Sequence, residues 1–303
     1  MSAPLGRASL GWALIVIALI TAAPPRARAC STCSCGDPTL TAVGVEQPYK
    51  NRLRLALEER LGTHIRGVDE DRERVLSTRT QLAVAYTPHP RVTLSAYLPF
   101  VASRLRGPHD EDWIRGLGDL EVQARVLVAR DRSFAPRHLF WLVAGLKTPT
   151  GPRLYDDAGI PFPDDDQPGS GSWDPLGGAV YAWFGQPVSI YSSLFFRYPT
   201  AGPRGYRVGA SLLSSTVAQL QPLPRLAVQL GTDLRYGWAD ALDNGAAAPD
   251  TGGFVAALVP AILVNPWRDL LLRIAVEVPV AQRLLGAQSI GPQGVLTVSY
   301  DVL

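Results

Sequence analysis

The sequence predicts an all-β chain: a transmembrane, up-and-down antiparallel β-barrel of about twelve strands that follows a cleaved signal peptide. Three observations carry this reading. Hydrophobic residues make up 47% of the 303 residues and charged residues only 18%, whereas a soluble domain usually carries about 25% charged residues. A surface that faces hydrocarbon removes the need for that charge. Apolar residues then alternate with small or polar ones over long stretches, the period-two pattern of strands with two unlike faces. Finally, the chain begins with an export signal. Gly (28) and Pro (26) are frequent, which suits many turns and disfavours long helices.

The N-terminus reads first. Arg7 is a positive flank, Leu10 to Ile20 an apolar run, and Ala27-Arg28-Ala29 an A-x-A cleavage site. The apolar run is shorter than the ~20 residues that a membrane-spanning helix needs. Residues 1–29 are therefore expected to be removed, leaving a Cys-containing periplasmic segment at 30–49 and a barrel at 50–303. No later segment is long and apolar enough for a membrane helix. An exported chain of this kind enters a membrane only as a closed barrel, because an open sheet would leave backbone groups unpaired in lipid.

The strands are expected at 50–62, 73–86, 90–102, 117–130, 137–149, 173–184, 187–199, 204–216, 224–238, 252–264, 268–281 and 293–303. The clearest runs from Arg225 to Trp238. Its apolar face is Leu226, Val228, Leu230, Thr232, Leu234, Tyr236 and Trp238, and its other face is Arg225, Ala227, Gln229, Gly231, Asp233, Arg235 and Gly237. That is too long for the usual globular strand of about 5–6 residues and enough for a transmembrane one. Between strands, long links (Arg104 to Gly116, Thr150 to Ser172, Ala239 to Thr251) largely alternate with short ones (Thr87-Pro88-His89, Gly185-Gln186, Asn265-Pro266-Trp267). Such alternation separates an outer end from a periplasmic end. The short link Thr200 to Pro203 and the longer link Val217 to Leu223 are exceptions.

Charged and polar side chains fall consistently on the non-apolar face: Arg54, Arg79, Glu121, Arg125, Gln229, Asp233, Arg235, Arg273 and Glu277. A cation at the lipid midplane costs roughly 2–4 kcal/mol, so these nine are expected to line the lumen and to border any solute path.

Three sequence blocks stand out. Gly116-Leu117-Gly118-Asp119-Leu120 opens a middle strand, Gly145-Leu146-Lys147-Thr148-Pro149-Thr150-Gly151 ends the next, and Gly169-Ser170-Gly171-Ser172-Trp173-Asp174-Pro175 follows a long loop. In this order they resemble blocks of the outer-membrane transporter-like family named for meta-pathway phenol degradation. The resemblance implies an outer-membrane barrel related to uptake of small, often apolar molecules. It singles out Gly116, Gly118, Asp119, Lys147, Pro149, Gly151, Gly169, Gly171, Trp173 and Asp174. Read physically, these residues either specify strand entry and loop geometry or form a binding site. Trp173 is a candidate interface anchor.

Cys30, Cys33 and Cys35 lie within six residues. In an oxidising compartment they favour a disulfide or a lipid anchor on Cys30. Alternatively, the thiolates gather a soft metal such as Cu(I) or Zn(II). His64, His89, His109 and His138 are scattered, and no HExxH spacing occurs. Asp156, Asp157 and Asp164 to Asp166 form an acidic loop, either solvated or attractive to Ca²⁺. No P-loop, dinucleotide or nucleophile-elbow motif appears, and the interspersed charges, net +2, leave no footprint for nucleic acid. The expected partners are outer-membrane lipid and a small-molecule solute, with a periplasmic partner at the cysteine segment as a further possibility. The sequence thus points to a non-enzymatic passive channel or transporter; the alternative is an accessory barrel whose cysteines bind metal or a partner.

Overall fold

The computed structural model describes residues 50–302 except 68–71, 108–110, 157, 165, 249 and 268. The expected signal peptide and cysteine segment, with Cys30, Cys33 and Cys35, lie outside the described residues, as do His109, Asp157 and Asp165. The rest is an all-antiparallel sheet: β1 (Arg52–Arg66), β2 (Glu73–His89), β3 (Val92–Arg106), β4 (Glu111–Leu117), β5 (Glu121–Arg130), β6 (His138–Lys147), β7 (Asp174–Phe184), β8 (Val188–Arg197), β9 (Ser211–Leu223), β10 (Leu226–Gly237), β11 (Gly253–Trp267), β12 (Leu270–Leu284) and β13 (Gln288–Asp301). β1 pairs with both β2 and β13, so the sheet closes on itself. β4 and β5 both pair with β3 and form one interrupted barrel strand. The barrel therefore has twelve strands and closes on itself, and β4 continues the hairpin with β3 alone.

The interruption is a bulge. Between the pairs Tyr97↔Glu121 and Phe100↔Leu117, two residues of β3 face three of its partner, Gly118 to Leu120. Pro99 sits there, and its carbonyl accepts from the Gly118 N–H at 2.8 Å. Since a strand residue's N–H and C=O point to the same neighbour, the donor that Pro99 lacks falls where the ladder is already broken.

The outer surface is apolar. Leu55, Leu57, Leu82, Leu94, Val126, Leu142, Leu194, Leu230, Leu258, Ile262, Ile274 and Leu296 are all exposed. Aromatic side chains border this band at both ends. Tyr86, Phe140, Tyr181, Trp267 and Tyr300 sit toward the chain termini, and Trp113, Trp173, Phe196, Tyr198, Tyr236 and Trp238 toward the loops. From Val228 to Trp238 a strand tilted as barrels require climbs about 25 Å, the height of a lipid-facing band. A surface of this chemistry is stable against hydrocarbon and not against water.

Several boundaries differ from the sequence expectation. The eighth expected strand, 204–216, lies instead at Ser211–Leu223 as β9. Left-handed backbone at Arg204 and Gly205 (φ 60° and 78°) forms a 3₁₀ turn that stops any strand there. Inward Val217 and Gln219 are buried while outward Leu220 is exposed, so the alternation runs on to Leu223. Both exceptions among the links thereby disappear: the loop is 198–210, and the turn is Pro224-Arg225. The expected loop Arg104 to Gly116 is mostly strand, a hairpin that projects beyond the aromatic band. Arg104 pairs with Glu111 at 2.7 Å, and Arg104 and Arg115 lie over the Trp113 ring at 5.5 and 4.6 Å. These charged residues keep extended pairing in water, which hydrophobic alternation does not report.

Candidate functional site

All nine side chains expected in the lumen lie on the inward face, but at two levels. On the termini side, Arg54, Arg125, Gln229 and Arg273 are buried. Arg54 holds Asp301 through Nε at 2.6 Å and Nη2 at 2.7 Å. Gln229 donates to Gln219 Oε1 at 2.8 Å and accepts from Arg273 Nε at 3.2 Å. Beside them, Leu127, Leu139, Trp141, Val143, Val180, Ala182 and Tyr191 form a buried apolar cluster on β5 to β8. Inward groups at this level are therefore buried against one another rather than open.

On the loop side a cavity of about 680 Å³ occupies the lumen. Of the expected residues, Arg79, Glu121 and Arg235 line it. Asp233 accepts from Ser215 Oγ, and Glu277 lies 3.5 Å from Arg60. Five further charged side chains belong to the lining: Glu58, Arg60, Asp119, Lys147 and Arg197. Arg60 pairs with Glu58 at 2.8 Å, and Arg197 with Glu121 at 2.6 Å. Arg60 was legible, since it shares parity with Arg54. Arg197 was not, because Tyr191 and Phe195, which face inward beside it, are as apolar as the outward face of β8.

The three blocks converge on one buried cluster at the β4–β5 bulge. Asp119, Ser172 and Asp174 are each 3% exposed or less. Lys147 Nζ lies 2.5 Å from Asp174 and 3.4 Å from Asp119. Asp119 Oδ1 accepts the Gly151 N–H at 2.9 Å, and its Oδ2 accepts from Gly171 N–H and Ser170 Oγ, both at 3.2 Å. Ser172 Oγ donates to Asp174 Oδ1 at 2.6 Å. Gly169 must be glycine: a Cβ there would come within 2.5 Å of Asp119 Oδ1. Gly118 is likewise confined, since its Cβ would meet the Pro168 carbonyl at 2.7 Å. Pro149 ends the β6 ladder beside Thr148, whose N–H donates to Leu120 O at 2.8 Å. Trp173 is half exposed among the loop-side aromatics, and Gly116 lies under Leu154 and Pro168. The cluster ties both ends of the longest connection, 148–173, to the bulge.

That connection folds over the mouth of the barrel. Its Leu154 and Phe162 pack on buried inward-facing Val75, Leu105 and Ile114, and its Pro168 and Gly169 roof the cavity. The described acidic residues of this loop are engaged. Asp164 pairs with Arg153 and, at 2.9 Å, with Arg204; Asp166 pairs with Arg66 at 2.7 Å; Asp156 Oδ1 accepts the Ala158 and Ile160 N–H groups. Arginine and backbone partners thus engage at least one carboxylate oxygen of each of these three residues.

Within the apolar band, a charged residue of β1 departs from the inward rule. Glu59 shares the outward face of β1 with Leu57 and Leu61, and accepts from Thr80 Oγ1 on β2.

The structure is similar to a solved outer membrane channel from Pseudomonas putida F1 described as belonging to COG4313, with a TM-score of 0.66 at 15% identity over 84% of this chain and 96% of that one. Fainter likenesses, at TM-scores of 0.45 and 0.42, link it to the P. putida toluene transporter TodX (10% identity, 84% of this chain and 90% of that one) and to the CymD monoaromatic hydrocarbon channel (9% identity, 84% and 88%). No family model matches the sequence, and no curated protein matches it.

Proposed function

We propose that this chain is a passive outer-membrane channel for small molecules. One observation carries the reading: a cavity of about 680 Å³, lined by ionisable and polar side chains, lies inside a closed barrel whose outside is apolar. Exposed charges inside a lipid-embedded cylinder are useful where water and solute reach them. The likeness to a solved outer membrane channel supports the same reading. Kinship with the phenol-degradation-named transporter-like family rests on the three blocks, which this barrel uses together at a single cluster. The likeness to the solved channel also favours transport over catalysis.

The test is reconstitution of the full mature chain into planar bilayers and into liposomes loaded for solute flux. Discrete conductance steps and flux are expected. A silent barrel in both assays would favour the second reading, an accessory barrel, for which the burial of the inward side chains on the termini side speaks. In that reading the cysteine segment supplies the activity, by holding a soft metal or a periplasmic partner.

A further inference from the structure

Arg60 and Arg79 are direct cross-strand partners on β1 and β2, both pointing inward. Like charges in such a pair repel. Arg60 is compensated by Glu58 and Glu277. Arg79 is not: its one side-chain hydrogen bond among the described residues goes to Gln81 Oε1 at 3.2 Å. The charges acting most strongly on it are those of Arg60 and Arg197, ahead of Glu121 and Glu58. Its guanidinium is exposed to the lumen, so it meets whatever enters the cavity. A second guanidinium in the lining, Arg235 on β10, has no hydrogen bond or ion pair among the described residues. The same cavity offers an apolar surface from Tyr97, Leu176, Phe195 and Leu213.

From this arrangement we infer that the cavity is a binding site for small organic anions, carboxylates with an apolar body, anchored by Arg79. The inference rests on the channel reading and names its solute class. A planar guanidinium presents parallel N–H donors that match a carboxylate. An anion at Arg79 relieves the repulsion from Arg60 and Arg197, so the site gains on binding what the empty barrel loses. A neutral solute of equal size gains the apolar contacts alone. Rings of arginine serve anion pores in the same way.

The probe is benzoate, with benzamide as its neutral counterpart, titrated calorimetrically into the detergent-solubilised full mature chain. Benzoate is expected to bind at least tenfold more tightly than benzamide, and Arg79→Gln to abolish that preference while leaving benzamide unchanged. Arg79→Lys keeps the charge without the fork and should restore part of it. Retained β-sheet circular dichroism in each variant guards against misfolding. Equal binding of the two probes, no benzoate binding, or an unchanged preference in Arg79→Gln would overturn the inference. Bilayer recordings on the same preparation separate the two levels. A conducting barrel that ignores benzoate removes the anion site alone, whereas a silent barrel that binds benzoate removes the channel reading and leaves the site.

Discussion

Replacing Lys147 by methionine removes the cation held between Asp119 and Asp174 while keeping nearly the same side-chain length. The side chains of the two carboxylates are 1% and 2% exposed, and that of Lys147 is 15% exposed. Asp119 retains the Gly151 and Gly171 N–H groups and Asp174 retains Ser172, so hydrogen bonding survives while the charge balance does not. Breaking a buried pair by deleting one partner costs about 3–5 kcal/mol, because the remaining charge is left uncompensated. The residual hydrogen bonds and the partial exposure of Lys147 place the expected loss near the lower bound, about 3 kcal/mol. Urea unfolding of the chain folded into lipid vesicles measures it. Adding Asp174→Asn to Lys147→Met removes one of the stranded carboxylates and should recover part of the loss. Limited proteolysis supplies a local readout, with cleavage within 148–173 expected to accelerate in the single variant. A Lys147→Met protein within about 0.5 kcal/mol of wild type, with an equally resistant loop, would refute the view that the three blocks form one electrostatic fastening.

Glu59→Leu should stabilise the barrel in vesicles by up to about 2 kcal/mol, because a carboxylate on the lipid face is replaced by hydrocarbon; equal or lower stability would show that this face does not meet lipid. Asp131, at the turn after β5, has its carboxyl held down to about 2 by the His138 and Arg137 N–H groups and by Arg132. Its depressed value means that its contribution is complete above the ordinary carboxylate range and is lost as pH falls through about 2. Amide exchange at Arg137 and His138 should accordingly rise in Asp131→Ala at neutral pH, and a protection pattern like wild type would count against this cap. For the cysteine segment, metal analysis of the wild-type mature chain and a Cys33→Ser, Cys35→Ser variant is decisive. A soft-metal site requires metal in the first and loss in the second, and equal content excludes it.

Much of the barrel was legible because its two solvents differ. Wherever one face met lipid and the other a polar interior, as along Leu226 to Gly237, alternation gave both the strand and its register. Legibility failed where that contrast vanished. On β8 the inward Tyr191 and Phe195 are as apolar as the outward Leu194 and Phe196, so Arg197 gave no sign of facing the cavity. Past the membrane, the outward face of the hairpin around Arg104 and Glu111 meets water while inward Leu105 and Ile114 meet the 148–173 connection, and the pairing there follows from ion pairs, ring contacts and that packing. At Val217 to Leu223, glutamine and proline imitate a loop, yet the burial of Gln219 against Gln229 keeps the ladder going. The candidate site was half visible. Single charges could be assigned to a face from parity alone, but which ones share the cavity depends on how the closed barrel brings β1 and β2 opposite β8.

The position of the fastening gives the motif residues their reason. A bulge leaves one extra residue unpaired and turns the strand, and here that residue, Asp119, is a carboxylate directed into a buried site. Alone it would weaken the wall. It is stable because Lys147 from β6 and the N–H groups of Gly151 and Gly171 meet it, and they can do so only if both ends of the 148–173 connection return to the same point. Closing a long loop costs little more than closing a short one, whereas ordering its backbone costs about 1–2 kcal/mol per residue. The cluster, with Leu154 and Phe162 seated on the inner wall, offsets that ordering cost. It also fixes Pro168 and Gly169 as the roof of the cavity above Arg79. Loosening the fastening should therefore change what the lumen admits as well as how firmly the barrel holds. Lys147→Met is expected to raise single-channel conductance and to weaken the discrimination between benzoate and benzamide, since Lys147 lines the cavity that its loop roofs. Unchanged conductance and discrimination in a barrel whose loop is demonstrably loosened would separate the roof from the solute path and confine the three blocks to stability.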